Sequence, residues 1–152
     1  MVATVAGSRH HAGVPLLLLR HASAGDRDAW TGDDRERPLD ERGMRQADAL
    51  VQQLERFPIA RILTSPYLRC VQTVEPLAAA RGIEAEVRPE LGEELQATDG
   101  AELVRSAIDE DVVVCGHGGL EHALLAFPPK WRKGATIVLV RGLEAVDLLP
   151  PP

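Results

Sequence analysis

Two histidines occupy places in this sequence where an imidazole can do chemistry. The first closes the run Leu16-Leu17-Leu18-Leu19-Arg20-His21, and the second lies in Gly116-His117-Gly118-Gly119. Arg20 beside the first, and Arg69 elsewhere, supply planar cationic forks suited to phosphate oxygens. Such a set can hold an oxyanion while an imidazole acts as nucleophile or base. Positioning, and stabilisation of charge on the equatorial oxygens, are what phosphoryl transfer requires. An Arg-His dipeptide alone is weak evidence, because a strand ending in two solvated residues looks the same. The question is whether the chain delivers all four residues to one place.

Four consecutive leucines read as a strand buried on both faces, the habit of parallel sheets. Residues 61–64 and 111–115 read the same way, residues 83–87 as a further strand, and residues 136–140 with 144–149 as a terminal hairpin or edge pair. Helices are predicted between them. One starts at Asp40 as N-cap and buries Ala47, Leu50, Val51 and Leu54. Another starts at Ser65-Pro66, buries Tyr67, Val71, Val74 and Ala78, and ends at Gly82. Asp99, with Glu102 at capping-box spacing, caps a third that buries Leu103, Val104, Ala107 and Ile108. A fourth follows Gly119 with Leu120, Ala123, Leu124 and Phe127 on its stripe.

Strands alternating with helices predict a three-layer α/β/α domain with a mostly parallel central sheet. In such a sheet ligands bind outside the carboxyl ends of the strands. Arg20, His21 and His117 follow strand ends directly, and Arg69 lies one turn into the helix after a third. Three segments therefore bring Arg20, His21, Arg69 and His117 to one edge. Glycines around His117 let backbone amides, Gly118 among them, approach a ligand closely.

Between the first strand and first helix runs a polar loop, residues 23–38, longer than most connections in compact domains. Its arginines, Arg27, Arg35 and Arg37, are candidates for gripping a second substrate phosphate or a phosphoprotein. The competing reading pairs them with Asp33 and Asp34 and leaves them solvated. Cys70 and Cys115 form no disulfide framework or zinc spacing and read as core residues. His122 reads as structural or exposed. No close histidine spacing suggests a metal, so no metal or other cofactor is expected.

The chain has 152 residues, 45% hydrophobic and 26% charged, with a formal net charge of −6. That balance argues against a nucleic-acid polymer or anionic membrane as partner. It also makes any local basic cluster more meaningful. No apolar run approaches the roughly 20 residues of a membrane span. Residues 1–13 read as a flexible leader, with His10 and His11 as leader residues rather than ligands, and residues 14–150 as a single domain. Cytoplasmic location is the expectation. The terminal hairpin offers an edge at which a second copy can pair, giving a homodimer.

Arg20-His21-Ala22, Ser65-x-x-x-Arg69 with Gln72-Thr73, and Gly116-His117-Gly118 together resemble the histidine phosphatase (phosphoglycerate mutase-like) superfamily. Arg37-Pro38-Leu39-x-x-Arg42-Gly43-x-x-Gln46-Ala47, Val71-Gln72-Thr73-x-Glu75-Pro76-Leu77 and Arg132-Lys133-Gly134 look especially like its small phosphohistidine phosphatase (SixA-type) branch. They are similar also to the phosphatase domain at the carboxyl end of some actinobacterial Nudix hydrolases, although no Nudix box is present here. The resemblance implies a phosphohydrolase of that fold in which His21 attacks phosphorus and becomes a phosphohistidine that water hydrolyses. Arg20, Arg69 and His117 would bind the phosphoryl oxygens. Leu91-x-Glu93 resembles the family's placement of the general acid, so Glu93 takes that role, with its neighbour Glu94 as the alternative. One departure is Ala22, where the family commonly has glycine. The implied partner is a phosphorylated small molecule or phosphoprotein: a phosphohistidine protein, a nucleotide or another exposed ester. A mutase fits less well, because such relatives carry long insertions that enclose a phosphosugar. The reading from another class is a catalytically idle phosphate-binding or interaction module of the same fold.

Overall fold

The computed structural model describes residues 15–140 and 142–152; the expected leader lies outside them. Among these residues six strands form one sheet: β1 (Leu16–Arg20), β2 (Arg61–Thr64), β3 (Glu86–Val87), β4 (Val112–Gly116), β5 (Thr136–Val140) and β6 (Glu144–Leu149). Their order across the sheet is β3-β2-β4-β1-β5-β6. The first four in that order are mutually parallel, and β5 and β6 close one side as an antiparallel pair. Among the described residues four α-helices accompany them: α1 (Glu41–Gln53), α2 (Leu68–Arg81), α3 (Ala97–Ser106) and the short α4 (Leu120–Leu124).

Alternation along each strand divides the core in two. Leu16 and Leu18 of β1, Val112 and Val114 of β4, and Leu63 of β2 face one way, onto Ala101 and Val104 of α3 and Leu120 and Leu124 of α4. Leu17 and Leu19, Val113 and Cys115, and Ile62 face the other way, onto Leu50 of α1 and Cys70, Val74 and Leu77 of α2. Both faces are covered, which makes the three expected layers. It also explains why β1 carries apolar residues without alternation. All four leucines are buried, each worth about 1.5–3 kcal/mol in apolar surface removed from water.

Several local expectations give way to tertiary demands. Asp40 does cap α1, accepting from the Gly43 N–H at 2.7 Å. Ser65-Pro66, however, does not open α2, which begins at Leu68 behind an extended Tyr67. The Ser65 hydroxyl is committed to His117 and to the Tyr67 N–H instead. The buried stripe of α2 is consequently Cys70, Thr73, Val74 and Leu77, and Val71 and Ala78 lie only partly buried at its margin. α3 starts at Ala97, so Asp99 lies inside its first turn rather than at its cap. β3 is confined to Glu86–Val87 because the Ile83 N–H is taken by the Ala78 carbonyl at the end of α2. Phe127 falls beyond α4 and is 95% exposed.

Candidate active site

β1, β2 and β4 end level with one another. Arg20 lies opposite Gly116, and Thr64 opposite Cys115. The ladder continues one residue past the strands, with the His21 N–H on the Gly116 carbonyl at 3.1 Å and the Ser65 N–H on the Cys115 carbonyl at 3.0 Å. His21, Ser65 and His117 are thereby set side by side by the sheet itself. The histidine rings meet edge to face, 5.4 Å between centroids, and Tyr67 packs edge-on against His117 at 4.7 Å.

His21 is buried, and its Nδ1 lies 2.8 Å from the Ala22 carbonyl oxygen. A carbonyl can only accept, so Nδ1 carries the proton and Nε2 keeps its lone pair. Burial pushes the imidazole down to about 3, with His117, Arg69 and Arg20 adding to the effect against the Ala22 hydrogen bond. The ring is thus neutral, with a nitrogen lone pair available, across the physiological range. The loop behind it is fixed by side chains from the helices. Thr73 Oγ1 accepts from the Ala22 N–H, Gln46 from Ser23 and Gln72 from Leu39. Gly43 permits this packing: a Cβ there would stand 1.9 Å from the Ser23 carbonyl oxygen.

His117 is oriented from behind. Its Nε2 lies 2.8 Å from Ser65 Oγ, and that oxygen also accepts from the Tyr67 N–H. Its Nδ1 is a buried atom without a hydrogen-bond partner. Arg20 Nε and Arg69 Nε share that condition. Two buried guanidinium N–H groups, with a buried imidazole nitrogen at the same edge of the sheet, suit the oxygens of a phosphoryl group. Arg20 is steered by the Trp131 carbonyl, 2.8 Å from Nη1. Its guanidinium lies so close to Gly118 that a Cβ there would be 3.0 Å from Nη2. Gly118 therefore provides space for Arg20, and the neighbouring Gly119 N–H is bound by Glu121 Oε1 at 2.7 Å.

The fully buried Arg69 donates to Asp34 Oδ2 at 3.0 Å and to Glu93 Oε1 at 2.9 Å. Glu93 Oε2 stands 3.9 Å from His117 Nδ1. Glu94 turns away towards Arg35, at 3.7 Å. Of the two acids, then, Glu93 is the one beside His117. The loop arginines are engaged: Arg27 Nη2 donates to both Glu93 oxygens at 3.0 Å, Arg35 pairs with Asp33 at 2.8 Å, and Arg37, buried, holds Asp34 and the Ala24 carbonyl. Burial raises the Asp34 carboxyl, but its bonds to Arg37 and Arg69 outweigh that and keep it below the ordinary range.

Asp34 and Ser65 are site residues that the sequence reading missed. Ser65 looked like a helix cap because a hydroxyl before proline is one. Asp34 looked like an ordinary loop acid, since its partner Arg69 lies 35 residues away. Cys70 and Cys115 are buried free thiols, as expected, with Cys70 Sγ 3.5 Å from His117 Nε2. His122 is exposed beside Glu121. Among the described residues no group of three His, Cys, Asp or Glu is placed to hold a metal ion, and no helix is long and apolar enough to cross a membrane.

The sequence pattern of the histidine phosphatase superfamily (branch 1) matches residues 16–101. The chain belongs to that superfamily. It is 34% identical to an 8-oxo-(d)GTP phosphatase of Mycolicibacterium smegmatis over 158 aligned residues, 90% of this chain and 48% of that protein. The chain thus spans about half the length of this curated relative. Its fold is similar to that of the protein histidine phosphatase SixA, solved with tungstate (TM-score 0.76, 22% identity, 90% of this chain and 97% of that one). It is also similar to a mycobacterial glucosyl-3-phosphoglycerate phosphatase (TM-score 0.67, 18% identity, 90% and 96%).

Proposed function

We propose that the chain hydrolyses exposed phosphate groups through a phosphohistidine on His21, without a metal ion. The observation that carries this is the pairing of a neutral His21 whose Nε2 lone pair is free with three buried nitrogens that lack a partner, Arg20 Nε, Arg69 Nε and His117 Nδ1. Nε2 attacks phosphorus, and the bond from phosphorus to the leaving oxygen or nitrogen breaks as that atom takes a proton from the acid form of Glu93. The resulting Glu93 carboxylate then takes a proton from water. Attack of that water on phosphorus breaks the P–N bond and returns His21 neutral with free phosphate. Arg20, Arg69 and His117 hold the equatorial oxygens through both steps.

Substrates with a protruding phosphate suit this site: phosphohistidine in a protein, as for SixA, or a nucleotide, as for the M. smegmatis relative. The test is hydrolysis of an aryl phosphate in EDTA by wild type and His21→Ala. Activity that survives chelation and falls by about 10⁴-fold or more in the variant is expected. Undiminished activity in His21→Ala, or loss of wild-type activity in EDTA, would sink the assignment.

A further inference from the structure

Arg20 lines a second cavity that the chemistry above does not use. This cleft, about 870 Å³, also takes in Arg42, Lys130, Arg132 and Lys133, and it contains one carboxylate, Glu121. Its volume is that of a small-molecule site. Among the described residues, none of those four cations is in an ion pair. In a chain of net charge −6, five cations against one acid is a local reversal with a strong attraction for anions. Glu121 is itself occupied by the Gly119 N–H.

The wall bearing these cations is tied to the nucleophile. The Gly134 N–H donates to the carbonyls of Arg20 at 3.1 Å and His21 at 2.9 Å, and the Arg20 N–H donates to Ala135 at 3.1 Å. Trp131 is buried, with its indole N–H on the Ala135 carbonyl at 3.0 Å. The backbone that carries Arg132 and Lys133 is therefore tied to that of His21. Burial, then Arg20 and the arginines of the site, lower the Lys133 ammonium, which places it in the same electrostatic field.

We infer that this cleft binds a second phosphate of the substrate, so that the preferred substrate is a small molecule ending in a di- or polyphosphate. The inference rests on the phosphohistidine reading of His21. With the terminal phosphoryl on His21, the next phosphate lies one bridging oxygen away, beside Arg20 and the cleft. Attack by His21 breaks the bond from the terminal phosphorus to that bridging oxygen. The leaving group is the substrate shortened by one phosphate, with its new charge held by Arg132, Lys130 and Lys133, and water then releases phosphate from His21. A phosphate leaving group needs less help from Glu93 than an alkoxide does, because it is the weaker base.

The test is calorimetric titration of inorganic pyrophosphate and inorganic phosphate into the His21→Ala chain, with and without Lys130→Ala and Arg132→Ala together. Both residues are exposed, so the fold should survive, and circular dichroism checks it. Pyrophosphate is expected to bind at least about tenfold tighter than phosphate, and the double substitution to reduce that ratio to about two. Equal affinity for the two anions, or a ratio unchanged by the substitutions, would overturn the inference. So would an acidic phosphopeptide whose binding is weakened by the substitutions while that of pyrophosphate is not, which would assign the cleft to a protein partner. A wild type that turns over no phosphate yet keeps the pyrophosphate preference would refute the catalytic reading and leave the cleft an anion site.

Discussion

On one side of the two histidines, Arg27, Arg35, Arg37 and Arg69 interlock with Asp33, Asp34, Glu93 and Glu94. On the other side, Arg42, Lys130, Arg132 and Lys133 line a cleft with a single acid. Both regions are rich in basic residues and both border the site, yet their charges do different work. In the first, cations and anions fix each other, so that the loop of residues 23–38 and the Glu93 segment hold shape around Arg69. In the second, the positive charge stays available to something arriving from solution. Basic residues near an active site are thus not interchangeable candidates for binding phosphate; what matters is whether the fold has already given them a partner.

The strongest way to break the interlocked side is Arg69→Ala. It removes a phosphoryl-binding guanidinium and leaves Asp34 and Glu93 without the buried cation between them. A fall in kcat/KM of about 10²–10³-fold is expected, with a loss of about 3 kcal/mol of stability in denaturant unfolding. Retained activity would mean that Arg69 serves the loop alone. Glu93→Gln comes next. It should lower kcat on an alkyl phosphate by about a hundredfold and much less on an aryl phosphate, whose leaving group needs no proton; equal losses on both would remove Glu93 from the acid role. The mildest is Arg27→Ala, at the solvent-facing rim of the lattice. Its partly exposed pair with Glu93 should cost under about 1 kcal/mol of stability, and a loss of activity comparable to that of Arg69→Ala would show that Arg27 grips substrate.

Much of this arrangement can be read in the sequence. The leucines of β1 and valines of β4 are apolar on both faces, and that pattern alone demands a covered parallel sheet. Once the sheet is accepted, its strand ends place Arg20, His21 and His117 together, and Arg69 follows from the next helix. What the sequence does not carry is pairing across the fold. The loop's own acids could be matched to Arg35 and Arg37 from the sequence, but nothing local reveals that Glu93 comes to meet Arg27 or that Asp34 reaches Arg69. Ser65 illustrates the same limit. Its local chemistry favours a helix cap, and a hydrogen bond to His117, 52 residues away, redirects it. Residues 83–85 have the composition of a strand, but the termination of α2 takes the first of them.

The central claim is that His21 carries the phosphoryl group, and rapid quenching tests it directly. The chain is mixed with an excess of phosphorus-labelled aryl phosphate, stopped within milliseconds in alkali, digested and analysed by mass spectrometry. The account predicts a phosphoryl group on the peptide containing His21, stable in alkali, lost in acid, and formed at least as fast as turnover. Steady turnover with no label on His21, or label on His117 instead, would contradict it.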